Sequence, residues 1–229
     1  MKVVFLGGTG LLGSNIKVLK SEWMYFGSDL DISDFNKLSK KLNEINPDLI
    51  INAAALKTNE VEENREKAID VNITGSANVS KYCIINKKKL IYISTDYIYP
   101  GELGNYNESD NIFPKNNYAW TKLGGECSVK LVPNHIIIRT SFGADKFPYD
   151  YAYDNLFTSK DYVDVISKMI VNVIESNYVG TINVGTSRKS IYEYAKTKND
   201  IKKSSLIINK DFSLNLDLYK SLKDNKSQK

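Results

Sequence analysis

The chain has 229 residues, of which 42% are hydrophobic and 25% are charged, an ordinary globular composition. This length suits one large domain with a small appendage and is too short for two full domains. The net charge of +4 is modest. Apart from Lys87–Lys89 and the C-terminal stretch, the lysines are scattered, which argues against a nucleic-acid partner.

The first residues and the rare residue types exclude several further classes of protein. In MKVVFLGG the apolar run is too short for a signal peptide or a membrane span, so we expect a cytoplasmic protein with no membrane partner. Cys83 and Cys127 fit no metal or redox spacing and are expected to be reduced thiols on helices. His135, the single histidine, starts an apolar run and is expected to be structural, so we predict no metal site.

Short apolar runs recur along the chain and alternate with longer amphipathic stretches. Strands are predicted for residues 3–6, 23–26, 49–51, 90–93, 135–138 and 181–184. Helices are predicted for residues 35–45, 68–83, 118–130 and 160–176. This alternation predicts an α/β fold with a doubly wound parallel sheet, and the continuously apolar strands indicate burial on both faces.

Two boundaries of the helix predicted for residues 35–45 have clear signals. Ser33 and Asp34 can cap its start, and Asn46 with Pro47 ends it before the third strand. After Arg139 the pattern loosens, so we place a small, shortened C-terminal lobe over residues 144–229 and the main domain over residues 1–143. The lobe contains a tyrosine-rich segment at residues 147–157 and ends in a lysine-rich tail.

The stretch GGTGLLG follows the first strand and opens a helix. Glycines at a helix start let backbone N–H groups approach a pyrophosphate, which predicts a dinucleotide-binding loop. A plain tight turn is the alternative. The residues expected to contact the cofactor here are Gly7, Thr9, Gly10, Leu11, Leu12 and Gly13.

Tyrosine followed four residues later by lysine occurs at several places in the chain. The pairs are Tyr118/Lys122, Tyr192/Lys196, Tyr194/Lys198 and Tyr219/Lys223. Composition alone gives roughly two such pairs, so the spacing is not decisive by itself. Only the first pair follows a strand that ends in ISTDYIYPG, whereas the other three are expected to lie on solvated helix faces.

Together these motifs resemble the extended short-chain dehydrogenases/reductases, whose domain has a Rossmann-type fold. The glycine spacing and NYAWTK are similar to the motifs of this whole family, and INPDLIINAAA, STDYIYPG and RTSFG resemble its dTDP-4-dehydrorhamnose reductase group, which includes bifunctional 3,5-epimerase/4-reductases. The resemblance covers residues 1–143 and, more loosely, 158–195. It implies reduction, by NADPH or NADH, of the 4-keto group of a nucleotide-linked 4-keto-6-deoxyhexose.

The resemblance also implies roles for individual residues. The catalytic residues would be Thr95, Tyr118 and Lys122. Along the cofactor would lie Asn52, Ala53 and Ala54, with Asp31 and Ile32 near its adenine and Tyr118 and Lys122 against its nicotinamide end. The substrate would be contacted by Thr95, Asp96, Tyr97 and Arg139. Arg139 would neutralise a diphosphate or pair with a carboxylate. Asp29 would accept from a ribose 2′-hydroxyl, or Ser28 would face a 2′-phosphate, so NAD and NADP both stay open.

The chemistry explains the spacing of Tyr118 and Lys122. Residues i and i+4 share a helix face. A phenol has a pKa of roughly 10, and a nearby ammonium lowers the pKa of such a group. Tyr118 could then protonate a carbonyl oxygen as hydride arrives, while Thr95 hydrogen-bonds the same oxygen and Lys122 also holds the nicotinamide ribose.

Three functions remain open at this point. The first is the reductase, with a nucleotide-diphospho-sugar as its substrate. The second is a nucleotide-sugar epimerase or dehydratase with tightly held NAD, and the third is a non-catalytic NADP-binding regulatory subunit, because a methionine adenosyltransferase subunit resembles the same family. The aromatic residues of 147–157 would stack on a sugar or base, or pack over the sheet. Family members often pair through helices, so a homodimer is a further expectation.

Overall fold

The structure is a computed structural model that describes residues 1–227. The chain forms two compact units. The first contains residues 1–94, 115–138 and 177–181, and the second contains residues 95–114, 139–176 and the chain from 182 onward. This division differs from the single boundary predicted between residues 143 and 144, because each unit combines segments that are distant in the sequence.

The strands and helices follow one another along the chain as expected for an α/β protein. The strands are β1 (Val3–Leu6), β2 (Met24–Phe26), β3 (Leu49–Asn52), β4 (Lys89–Ile93), β5 (His135–Thr140), β6 (Phe142–Gly143), β7 (Tyr151–Tyr153), β8 (Leu156–Thr158), β9 (Asp161–Tyr162), β10 (Gly180–Val184), β11 (Lys189–Ser190), β12 (Lys202–Ser204) and β13 (Lys210–Phe212). The helices are α1 (Leu11–Leu19), α2 (Phe35–Ile45), α3 (Thr58–Glu63), α4 (Arg65–Ala68), α5 (Ser76–Ile85), α6 (Asn117–Val129), α7 (Val163–Ile174), α8 (Ile191–Lys196) and α9 (Asp217–Ser227). A π-helical stretch covers Ile69–Gly75, and a 3₁₀ turn covers Asp96–Ile98.

The main sheet has the strand order β10-β5-β4-β3-β1-β2. β1 pairs in parallel with β2 on one side and with β3 on the other. β4 lies between β3 and β5 and pairs in parallel with both. All six predicted strands are present to within two residues, and the predicted α/β parallel sheet is confirmed. The chain reverses its direction of winding between β1 and β3, which is where open α/β sheets bind ligands.

The core of the first unit forms where α2 and α5 pack against the sheet. Its members include Leu38 and Leu42 of α2 and Val79 and Cys83 of α5, all buried. The cap expected for α2 is confirmed, because the Asp34 carboxylate accepts a hydrogen bond of 3.0 Å from the Lys37 N–H. Both cysteines lie on helices; Cys83 is buried, and Cys127 on α6 is exposed.

The helix predicted over residues 68–83 is not one regular α-helix. The chain is helical from Arg65 to Ile85, but Ile69–Gly75 between α4 and α5 is π-helical. A π-helical turn inserts extra backbone and changes which side chains point inward, an effect that a 3.6-residue pattern does not reveal. α3 was not predicted either.

The second unit contains small sheets and an aromatic core. Three strands pair in the order β11-β8-β13, β12 pairs with β7, and β6 pairs with β9. Tyr162 and Tyr194 pack together with ring centroids 4.5 Å apart. The prediction that Tyr194 and Tyr219 lie on solvated helix faces is wrong, because both side chains are buried.

Part of the tyrosine-rich segment packs into the second unit, and part of it is exposed. Phe147 packs against Tyr194, with ring centroids 6.2 Å apart, and Ala152 is buried. Tyr149 and Tyr151 are exposed. Within residues 1–227, no helix has both the length and the apolar character needed to cross a membrane.

Candidate active site

The glycine loop lies at the carboxyl end of β1, and steric constraints fix its shape. Gly7 has φ +88°, and a Cβ there would come within 2.7 Å of the Ala53 backbone. A Cβ at Gly13 would come within 2.5 Å of the Gly7 carbonyl. Gly10 is the N-cap of α1 and offers no side-chain hydrogen bond, so the first turn of α1 keeps donors for a ligand. Protein backbone therefore fills the space that side chains at positions 7 and 13 would take, and contact of this loop with a pyrophosphate stays a prediction.

The Asn-Ala-Ala turn packs against this loop. Asn52 ends β3 and is buried, and its side chain donates to Ser76 at 3.3 Å and accepts from the Ala54 N–H at 3.2 Å. The Ala53 N–H donates to the Leu6 carbonyl at 2.9 Å. The backbone of Ala53 and Ala54 fills the space that a side chain at Gly7 would occupy. The structure therefore brings Gly7, Asn52, Ala53 and Ala54 together.

The two residues expected near the adenine, Asp31 and Ile32, differ in their exposure. Asp31 is exposed, and its carboxylate accepts hydrogen bonds from the N–H and hydroxyl of Ser33. Ile32 is buried in the core and contacts Gly75. Asp29 accepts from the Gly27 N–H at 2.7 Å, and Ser28 is exposed. The contacts of Asp31 and Ile32 with the adenine stay predictions.

Tyr118 and Lys122 lie on α6 in the same unit as the glycine loop. Asn116 caps this helix by accepting from the Ala119 N–H at 2.8 Å, and Asn117 donates to the Glu62 carboxylate of α3 at 3.0 Å. These bonds place Tyr118 in the first turn, half-buried. Lys122 follows one turn later on the buried face of the helix.

Lys122 is a desolvated lysine that lies against an aromatic ring. Only 2% of it is exposed, and its Nζ lies 4.0 Å from the centroid of the Tyr92 ring. Burial lowers the pKa of Lys122 to about 7, and the buried Glu126 one turn further on opposes this shift. Burial also raises the pKa of Tyr92, and the nearby Tyr118 adds to this increase. Near neutrality, Lys122 is therefore balanced between its charged and neutral forms.

Sequence reasoning missed the residues that hold α6 in place. Asn72, inside the π-helical stretch, donates to the Thr121 hydroxyl at 2.9 Å and to the Leu56 carbonyl at 3.1 Å. Its Oδ1 accepts from the Leu56 N–H at 2.7 Å. Thr121 in turn donates to the Tyr118 carbonyl at 2.8 Å. In the sequence, the sign of this role is the polar Asn72 among the apolar residues of AIDVNITG. π-helical turns are frequent at functional sites.

Thr95 and Asp96 begin the second unit, immediately after the buried Ser94. Both are buried, and Thr95 caps the 3₁₀ turn by accepting from the Tyr97 N–H at 3.2 Å. Thr95 also donates to Asp96 Oδ1 at 3.4 Å. The other carboxylate oxygen of Asp96 is buried and has no hydrogen-bond partner. The unmet oxygen makes Asp96 a polar group with capacity for a ligand.

Burial raises the pKa of Asp96 to about 7. Lys160, Thr95 and Ser141 act in the opposite direction but do not cancel the effect of burial. Burial, with Asp96 and Tyr149 nearby, also raises the pKa of Tyr97 to about 12. The ring of Tyr97 packs edge-on against Phe212 with the centroids 5.4 Å apart.

Arg139 is buried, with 1% of its surface exposed. Its guanidinium donates to the Tyr99 hydroxyl at 3.0 Å and to the Glu108 carbonyl at 3.1 Å. Tyr99 donates to Asn183 at 3.0 Å, and the Glu108 carboxylate accepts from the Asn183 N–H at 2.8 Å. This network favours the structural role of Arg139 over contact with a diphosphate.

A family model described as the RmlD substrate binding domain matches residues 1–169, more than half of the chain. The chain belongs to this family. A relative, the dTDP-4-dehydrorhamnose reductase of Aggregatibacter actinomycetemcomitans, is 27% identical over 201 residues, which cover 83% of this chain and 68% of that protein.

A solved structure with the same fold is the dTDP-4-dehydrorhamnose reductase of Bacillus anthracis in complex with NADP. It aligns with a TM-score of 0.83 and 25% identity, over 100% of this chain and 99% of that chain. This family and fold therefore include a protein that binds a nicotinamide dinucleotide.

A relative of another kind is methionine adenosyltransferase 2 subunit beta of Pongo abelii. It is 30% identical over 141 residues, which cover 56% of this chain and 42% of that protein. The relatives of this chain thus include a protein whose name describes a reductase and a protein whose name describes a subunit of another enzyme, so the function is argued from the site.

Proposed function

We propose that this protein uses NADPH or NADH to reduce the 4-keto group of a nucleotide-linked 4-keto-6-deoxyhexose. The observation that carries the proposal is Lys122, buried one turn after Tyr118 on α6, in the unit that contains the glycine loop. The names of the Aggregatibacter and Bacillus relatives support the substrate class.

The chain fits a dinucleotide cofactor at the glycine loop. Gly7 and Gly13 leave no room for side chains, and α1 begins at Gly10 without a side-chain cap. The cofactor, when bound, supplies the hydride. We favour NADPH because the Bacillus protein is described in complex with NADP.

The proposed work of the residues is proton transfer and positioning. Tyr118 gives its hydroxyl proton to the carbonyl oxygen of the sugar, which becomes the new hydroxyl. Lys122, when charged, stabilises the resulting phenolate and contacts the nicotinamide ribose. Thr95 donates to the same carbonyl oxygen, and Asp96 and Tyr97 contact the sugar. Asn72 and Thr121 hold the helix that presents Tyr118.

The experiment follows loss of NADPH and NADH absorbance with dTDP-, UDP- and GDP-4-keto-6-deoxyhexoses. The wild type should turn over at least one of them, and Tyr118→Phe should reduce kcat by about 10²- to 10⁴-fold, the usual contribution of general acid catalysis. Tyr192→Phe is the matched control, because Tyr192 also precedes a lysine by four residues, and it should retain full activity. Cofactor binding without turnover of any sugar would instead favour the regulatory subunit.

A further inference from the structure

Lys160 in the second unit is a half-buried cation to which the proposed reaction assigns no role. It directly precedes β9, and Ser141 directly precedes β6. Because β6 and β9 pair in parallel, with Phe142 opposite Asp161, the residues before these two also lie next to each other. The Lys160 N–H donates to Thr158 Oγ1 at 2.9 Å, which fixes the backbone from which the side chain starts.

The missing side chain of Gly143 leaves room for the side chain of Lys160. A Cβ at Gly143 would come within 3.2 Å of Lys160 Cε and would collide with the Tyr194 hydroxyl. The Lys160 Nζ lies 5.7 Å from the centroid of the Tyr194 ring. Burial lowers the pKa of Lys160, and the nearby Asp96 acts in the opposite direction. The ammonium of Lys160 therefore lies in surroundings poor in water and close to Asp96.

Asp96 and Lys160 influence each other without forming an ion pair. Lys160 opposes the raised pKa of Asp96 more strongly than Thr95 or Ser141 does. Within residues 1–227, the Lys160 ammonium forms neither an ion pair nor a hydrogen bond, and Asp96 Oδ2 is buried without a partner. The hydroxyl of Thr140, which precedes Ser141, is also buried without a partner there. A buried acceptor and a nearby donor are thus both left for a ligand.

A hydroxyl group is the kind of ligand that can bridge this pair. An ammonium only donates hydrogen bonds, and an ionised carboxylate only accepts them, so a bridging group must accept from Lys160 and donate to Asp96. A hydroxyl does both. A phosphate or carboxylate of a ligand would be attracted by Lys160 but repelled by Asp96. The pair therefore favours a neutral hydroxyl, as on a sugar ring, over an anionic group.

We propose that Lys160 is a specificity-determining residue, which donates a hydrogen bond to one ring hydroxyl of the sugar while Asp96 accepts a hydrogen bond from the same hydroxyl. This inference rests on the proposed function, because the sugar is part of that substrate. It goes beyond the expected contact of Asp96 with the substrate, since it adds a second residue and a requirement for a free hydroxyl. A sugar without that hydroxyl would leave both groups unsatisfied, which a site of this kind rejects strongly.

The test is calorimetric titration of sugar nucleotides that cannot be reduced. The ligands are dTDP- and UDP-linked 6-deoxyhexoses with a hydroxyl at C4, and their 2-deoxy and 3-deoxy forms. Lys160→Met removes the ammonium and keeps an apolar stem, and it should weaken binding of the fully hydroxylated sugar about 10- to 100-fold, the range for a hydrogen bond to a charged group. One of the two deoxy forms should bind the wild type more weakly by a similar factor, and Lys160→Met should bind that form as the wild type does.

The matched control is Lys168→Met, which removes an exposed lysine of α7 in the same unit. It should bind every sugar nucleotide like the wild type. Affinity for NADPH should not change in either variant, which also shows that both are folded. Equal affinity of the wild type and Lys160→Met for the hydroxylated sugar, equal weakening of all three forms by Lys160→Met, or no binding by the wild type would overturn the inference.

The two proposals can fail separately. A wild type that reduces a keto-sugar, with sugar affinity unchanged in Lys160→Met, disproves the role of Lys160 and leaves the reductase. Sugar binding that depends on both Lys160 and one hydroxyl, in a protein that reduces none of the keto-sugars, supports the role of Lys160 and disproves the reductase.

Discussion

Two buried charged groups, one in each unit, respond to burial in opposite ways. Lys122 in the first unit has its pKa lowered to about 7, and Asp96 in the second has its pKa raised to about 7. In both cases burial disfavours the charged form. Lys122 therefore loses its charge, and Asp96 gains its charge, as the pH rises through neutrality. Each unit therefore buries an ionisable group in surroundings that disfavour its charged form.

Arg139 provides the contrast to both, because this buried cation is well hydrogen-bonded. Arg139→Ala should lower the free energy of unfolding by about 3 kcal/mol, since it leaves buried acceptors unsatisfied and opens a cavity. Urea unfolding measures the effect. Arg188→Ala, which removes a half-exposed partner of Asp211, should cost less than about 1 kcal/mol. Equal costs would show that the network around Arg139 contributes little.

Lys122→Met tests how the burial of Lys122 affects the stability of the first unit. Between pH 7 and 9 the unfolded chain holds a proton on Lys122 that the folded chain has lost, so wild-type stability rises with pH. Relative to Lys122→Met, the wild type should gain about 2 kcal/mol over that range. Unfolding curves at pH 7, 8 and 9 measure it, with the exposed Lys196→Met as control. A difference that does not vary with pH would mean that Lys122 stays charged.

Asp96→Asn tests the second unit and should show the opposite sign. Between pH 5 and 7 the folded chain holds a proton on Asp96 that the unfolded chain lacks, so wild-type stability falls as the pH rises. Relative to Asp96→Asn, the wild type should lose about 1–2 kcal/mol over that range. The same sign for Lys122 and Asp96 would disprove the comparison.

The smallest losses of stability are expected from changes to the helix N-caps, which occur in both units. Asp34 caps α2 in the first unit, and Ser190 caps α8 in the second. Alanine at either position should cost about 1 kcal/mol. Thermal unfolding of the two variants, compared with Ser39→Ala at a half-buried position inside α2, measures this. A much larger loss at one position would show that the cap also supports tertiary contacts.

Features that are local in sequence could be predicted. The strands, the cap at Asp34, the glycine loop and the Tyr118/Lys122 pair each depend on residues a few positions apart. The contacts of Asn72 could not be predicted, because Thr121 lies 49 residues away and the π-helical turn that orients Asn72 follows no simple period. The burial of Tyr194 was missed for a similar reason, since its neighbours come from separate segments.

The candidate site was predictable to a different extent in the two units. In the first unit, Gly7 lies against Asn52–Ala54, and Lys122 lies against Tyr92. The contact between Lys122 and Tyr92 was not predicted. In the second unit, the burial of Arg139 and the unmet oxygen of Asp96 depend on packing that no motif encodes. Thr95 is oriented by its own turn, and its contact with substrate stays a prediction.

The most direct test of the central claim is to follow deuterium from NADPH deuterated at the transferable position into the product. The wild type, given a nucleotide-linked 4-keto-6-deoxyhexose that it consumes, should form a hexose one mass unit heavier, with deuterium at C4. Tyr192→Phe should do the same, and Tyr118→Phe should form almost none. Conversion of the sugar without deuterium in the product would contradict the account, because it would mean that the cofactor is used only transiently or not at all.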